Sequence, residues 1–392
     1  MSSVTKVLTP LKTFFHTDFG IALLITIVWK VVLTMIGFAI DAQDGAVSLF
    51  DHTIRWDAGW YMIIIQDWYT TNISSSVFYP LFPALVGVVH FIGVGNIDYP
   101  VAGQIINTLA VWFALTALLK LGRLFIGGKG RLWLIALFLS APTAFFLHAF
   151  YSEAVFATLS FWAYYFALKR RWLGVGILLT LLSASRLPSV LIIALTILEF
   201  MRAYDWKLRK IWNKNLLYFL LAPLGFVGYG LYLTFTQHDF LGMFHAYQTA
   251  TDWTYQIFNP NILETIGRAG YQVIRVLGDL RPLDNDFVIN NLFPLLALLV
   301  LGVSSIYLLR IKSRRFIPLG IVGLLSVVMF TLNSNVVSVH RYVLGSLVIL
   351  VALGLYIKSL KHKKLALIGC CVVGCIGQLY LYSLFVQTIF AG

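Results

Sequence analysis

Arg55-Trp56-Asp57-Ala58-Gly59-Trp60-Tyr61, followed seventeen residues later by Tyr79-Pro80-Leu81-Phe82-Pro83, is the stretch around which the chain is organised. A carboxylate sits here among aromatic rings and an arginine, directly after the first long apolar run. A solvated loop has no need of three large aromatics beside a carboxylate. A buried span does not tolerate an unpaired one. A pocket at a membrane surface meets both conditions, so Asp57 marks a candidate active site.

Outward from this stretch the chain has 392 residues, 59% of them hydrophobic and 11% charged. Soluble domains carry roughly 25% charged residues, and the apolar runs recur near the ~20 residues that span a bilayer. The expected class is an all-α, polytopic integral membrane protein. The first run, about 19–40, is long and lacks a small-residue cleavage site, so it reads as a span rather than a removable leader. The net charge of +13 does not mark a nucleic-acid binder. Lys6 and Lys12 precede the first run, and the other basic clusters fall in 120–131, 169–171, 202–214, 310–315 and 358–364. Together these hold 22 of the 29 Lys and Arg, against only Asp18, Glu199 and Asp205 among the acidic residues. That asymmetry across short alternate connections is the positive-inside pattern.

Eleven spans are expected: about 19–40, 99–123, 131–150, 152–169, 172–185, 188–201, 215–236, 290–309, 316–333, 340–357 and 365–388. The amino terminus is then cytoplasmic and the carboxyl terminus outside. Lys30, inside the first span, must face protein or water. Residues 41–98 form a first outer loop carrying Asp41, Asp44, Asp51, Asp57, Asp67 and Asp98. Its apolar piece Leu81–Gly95 has only fifteen residues, opens on Pro80 and Pro83, and is expected to lie in the interface. A second outer loop, 237–289, separates a module at 1–236 from the last spans at 290–392. There is no internal repeat.

The unusual polar residues then gather on the outer face. Asp57 lies in the first loop, Glu153 opens a span, Arg186 marks a break between two short spans, and His340-Arg341-Tyr342 opens another. An arginine between apolar segments needs a partner. Arginines at membrane depth suit a lipid-linked phosphate, and a carboxylate beside them suits activation of a hydroxyl, as in glycosyl transfer with phosphate leaving. Trp56, Trp60, Tyr61, Tyr69 and Tyr79 offer flat faces to a sugar or to the interface. No metal and no cofactor are expected, since the outer carboxylates do not pair with histidines at ligand spacing. Gly127-Gly128-Lys129-Gly130 lacks phosphate-loop spacing and reads as a tight turn. His148 reads as helix packing or pocket lining. Cys370, Cys371 and Cys375 read as small residues at a helix contact.

At Arg55-Trp56-Asp57, Tyr79-Pro80-Leu81-Phe82-Pro83, Tyr151-Ser152-Glu153 with Phe156, Arg186 and His340-Arg341-Tyr342, the chain resembles the GT-C glycosyltransferases. Within them it resembles the PIG-V-like family, related to the second mannosyltransferase of GPI-anchor synthesis. The resemblance implies a GT-C fold with interfacial helices in the first outer loop. It implies a polyprenyl- or dolichyl-phosphate sugar donor, typically of mannose, and inverting, metal-independent transfer to a glycan or glycolipid acceptor on the non-cytoplasmic face. Asp57 takes the place of the family's catalytic group; Glu153 is the second expected catalytic residue, and either carboxylate can serve as the base. Arg55, Trp56, Tyr61, Tyr79, Arg186, His340, Arg341 and Tyr342 are the expected substrate-binding residues. The short inner loops suit a bacterial plasma membrane, where the GPI acceptor does not carry over and a cell-envelope glycan takes its place; in a eukaryote the membrane would be that of the endoplasmic reticulum. The competing classes are a lipid or solute transporter, which puts charges mid-membrane and often shows inverted repeats, and a non-catalytic subunit binding a lipid-linked glycan.

Overall fold

The computed structural model describes residues 14–42, 48–249, 256–278 and 284–392; Lys6, Lys12 and Asp44 lie outside them. Among the described residues the regular structure is helical throughout. Helix α1 spans Asp18–Asp41, with the Thr17 hydroxyl accepting from Gly20 N at its start. Helices α2 (Asp57–Asp67) and α3 (Leu81–Ile92) belong to the first loop. Helix α4 (Tyr99–Phe125) opens on Pro100, whose missing N–H costs nothing in the first turn, and ends with Arg123 beside its own carbonyls. There follow α5 (Trp133–Leu139), α6 (Glu153–Leu168), α7 (Trp172–Ser183), α8 (Ser189–Ala203) and α9 (Leu224–Gln237). The second loop contributes α10 (Gly242–Thr249) and α11 (Ile262–Gly278). Helices α12 (Phe293–Arg310), α13 (Ile317–Thr331), α14 (Leu347–Ser359) and α15 (Lys363–Val386) complete the chain.

Among the described residues five helices are long and apolar enough to cross a membrane: Asp18–Asp41, Tyr99–Phe125, Lys214–Gln237, Asn285–Arg310 and Lys363–Val386. The pair Val339–Gly345 and Leu347–Ser359, bent by 72°, makes a sixth if the two count as one span. The other apolar runs are longer than the helices they form. The run at 131–150 breaks into the seven-residue α5 and a 3-10 turn, Ala144–Leu147, and α7 has twelve residues. At 1.5 Å per residue, twelve residues reach ~18 Å, short of a ~30 Å hydrocarbon core. Helix α3, likewise twelve residues, is also short of a crossing.

Helices α4 and α6 run the same way. Asn107 donates to Ala149 O at 2.6 Å just before α6 begins, and Phe125 stacks on Tyr164 near its end. Gly103 makes the approach possible, because a Cβ there would lie 2.4 Å from the Phe150 ring. Lys30 is buried and donates to Gln104 Oε1 at 2.8 Å, while Gln104 donates to His148 O. Polar contacts of this kind hold apolar helices in register. Gly127 has φ +103°, the conformation a tight turn needs there. Of the three cysteines, Cys371 is half-buried, whereas Cys370 and Cys375 are exposed on α15 and do not meet the expected helix contact.

Candidate functional site

Both carboxylates of the site sit in the first turn of a helix, where the backbone dipole favours negative charge. Trp56, just before α2, has φ 53°, a conformation unusual for a bulky residue, and it turns the chain so that Asp57 opens the helix. The Tyr151 hydroxyl locks that turn, accepting from Asp57 N and donating to Arg55 O, both at 3.1 Å. Tyr61, one turn into α2, meets Ser152 Oγ at 2.8 Å, which ties α2 to the start of α6. Burial pushes the Tyr61 phenol well above its usual pKa, so it stays protonated.

Arg186 comes from the loop between α7 and α8, where Pro188 ends one helix and begins the next. Arg341 comes from the short helix Val339–Tyr342, entered through Ser338 at φ 64°. The four charges form an alternating row. Arg341 Nη2 lies 2.6 Å from Asp57 Oδ2, Arg341 Nε 2.8 Å from Glu153 Oε1, and Arg186 Nη1 2.5 Å from that same oxygen. The cluster is formally neutral. Arg341 also donates to Gly392 O at 3.0 Å and lies over the Phe146 and Tyr151 rings. Glu153 is held by charge rather than aligned hydrogen bonds, since neither of its oxygens accepts one.

These residues differ in what they face. Asp57, Arg186 and Arg341 line a cavity of about 190 Å³ together with Tyr61, Tyr79 and Tyr342. Glu153 lies behind the arginines, in a smaller space of about 10 Å³ closed by Phe156 and Leu344. Past Pro188 and Tyr342 an apolar groove continues between α8, α13 and α14, walled by Leu191, Leu195, Leu319 and Val348. Arg341 donates to Asp57 and Gly392 and its Nε lies against Glu153 without an aligned hydrogen bond, whereas among the described residues Arg186 is ion-paired through Nη1.

Three expected binding residues stand elsewhere. Arg55 spends its guanidinium on Asp41 Oδ1 (2.5 Å) and on the Val386, Asp51 and Ile54 carbonyls, stapling the first loop to the ends of α1 and α15. Trp56 is half exposed and packs edge-on against Phe390. His340 is buried, with Nε2 3.1 Å from Ala391 O and its ring against Phe293. His148 is not at the cavity either: its Nε2 lies 3.2 Å from His52 Nε2 in the core. The cavity's far wall, Tyr247, Phe258, Phe330 and Asn333, was not anticipated. Tyr247 and Phe258 carry no signal beyond the length of the second loop, and Phe330 and Asn333 read as ordinary residues of the 316–333 span. The chain matches no protein-family model and no curated protein.

Proposed function

We propose that the chain is a membrane glycosyltransferase that moves a sugar, mannose by resemblance, from a polyprenyl- or dolichyl-phosphate donor to an acceptor hydroxyl. The observation that carries this reading is a pair of adjoining features: a carboxylate and a guanidinium facing a cavity, and an apolar groove that shares Pro188, Phe330 and Tyr342 with it. An amphipathic donor has that pattern of charge, sugar and hydrocarbon. The reading includes a GT-C arrangement and a site on the non-cytoplasmic side.

In the proposed reaction the acceptor oxygen attacks the anomeric carbon as its proton passes to Asp57 Oδ1, the oxygen not engaged by Arg341. The bond from carbon to phosphate oxygen breaks, and both electrons leave with the phosphate. Attack from the face opposite the leaving group inverts the anomeric centre. Arg186 binds the departing phosphate through its remaining donors. Arg341 and Glu153 are positioning residues: Arg341 aims Asp57, and Glu153 holds the two like-charged guanidinia together. A general base of this kind contributes ~10²–10⁴-fold. Asp57→Asn keeps the side chain's shape, so donor binding should persist while turnover falls by about that factor. Turnover unchanged in the purified variant would remove Asp57 from the chemistry.

A further inference from the structure

A second concave site lies next to the cavity, on the far side of one loop. Asn333, Val337 and Ser338 line the cavity, while Ser334, Asn335 and Val337 line a neighbouring groove of about 330 Å³. The loop between them is anchored: Thr265 Oγ1 donates to Asn333 O at 2.7 Å, and Gln256 and Ser334 exchange two hydrogen bonds of 2.9 Å. The groove's other walls are Tyr271 and Gln272 on α11 and the consecutive Asn290 and Asn291. The two asparagines belong to a π-helical turn, Val288–Leu292, set into the start of an otherwise regular helix. Such turns interrupt the regular hydrogen-bond ladder and recur at functional sites.

The chemistry of these walls is specific. Side-chain amides carry donors and acceptors in one plane and match the paired donor–acceptor character of sugar hydroxyls. Tyr271, largely exposed, adds a flat face. The groove's formal charge is Arg268, which is already paired with Glu264 on its own helix, so an anionic ligand gains little here. Asn290 donates to Asp286 Oδ1 at 2.7 Å, yet its own Oδ1 is buried with no donor. A buried acceptor left unpaired costs about 1–3 kcal/mol.

We propose that this groove binds the neutral oligosaccharide part of the acceptor, whose terminal hydroxyl reaches over the 333–337 loop into the cavity. The term acceptor rests on the glycosyl-transfer reading; the binding of a neutral glycan does not. The test uses full-length protein in lipid nanodiscs and, as probes, trisaccharides of mannose, glucose and galactose, with binding read by saturation-transfer NMR and calorimetry. At least one probe should bind wild-type and D57N protein equally, and its Kd should weaken tenfold or more in Q272A/N291A and in N291W. The second variant fills the groove rather than emptying it, and thermal melts report whether either is folded. No binding by wild-type protein, or unchanged affinity in both variants, would overturn the proposal. A trisaccharide lost from the groove variants alongside undiminished transfer by D57N would sink the catalytic reading and leave this site standing.

Discussion

Two clusters of four charged residues lie toward opposite ends of α4 and α6, and they are built differently. At one end Asp57, Arg341, Glu153 and Arg186 alternate in sign and sum to zero. At the other, Asp18 takes a bidentate bond from Arg123 (2.6 and 2.7 Å), with Lys120 and Arg131 nearby, leaving two positive charges uncompensated. In the first cluster the arginines are buried among aromatic rings and border a cavity. In the second, Arg123 is 44% exposed and water screens it. Asp205, exposed beside Lys210, repeats the solvated setting, whereas Glu199 is fully buried beside Arg202. Burial with exact charge balance is costly to assemble and needs a reason beyond stability. Excess positive charge at a solvated end needs only a membrane side to face.

The difference can be broken first at the carboxylates. Glu153→Gln leaves two buried guanidinia without their shared counter-ion and should cost roughly 3–5 kcal/mol. Asp18→Asn, whose best partner is half solvated, should cost about 1 kcal/mol or less. Thermal melts of the two variants in one lipid composition compare them directly. Equal losses would erase the distinction.

Acid should separate the ends next. His52 is fully buried in the first loop, and burial, with the Arg55 charge adding to it and Asp51 opposing, lowers its pKa from 6.5 to about 4. The folded state therefore holds it neutral while the unfolded chain protonates it. Its contribution, roughly 3 kcal/mol at most, is complete above pH 6.5 and is lost as the pH falls toward 4. The melting temperature should drop across that window, and His52→Gln should make the drop shallower. A wild-type profile that is flat from pH 6.5 to 4 would contradict this.

The arginines give the smallest contrast. Arg186→Lys keeps the charge but loses the planar fork. Charge-assisted hydrogen bonds of 1.5–3 kcal/mol correspond to about 10- to 100-fold weaker donor binding. Arg123→Lys, far from the cavity, should leave donor affinity unchanged. Equal weakening by both would point to nonspecific charge effects.

How much of this could be read from the sequence follows from what burial does to each residue. Asp57, Glu153, Arg186 and Arg341 stood out because charge among apolar residues demands a partner. Their pairing was not readable, since the four come from separate elements that only the packed fold brings together. Arg55 and His340 gave the same signal for another reason, as ties to carbonyls near the end of the chain. Of the eleven expected spans, five to six are helices long and apolar enough to cross among the described residues, because an apolar run says nothing of where a helix stops; Ser140-Ala141-Pro142 ends α5 inside a run long enough to cross. The amide groove was invisible, because Asn290, Asn291 and Asn335 look like any polar loop residues until the π-helical turn and the anchored 333–337 loop are set side by side.

The most direct measurement combines the purified protein in vesicles with a polyprenyl-phosphate-linked mannose donor and an acceptor glycan, reading both product yield and the anomeric configuration of the new linkage. The account predicts product from wild-type protein with configuration opposite to the donor's. Absence of product, or a linkage that retains the donor's configuration, would contradict direct displacement assisted by Asp57.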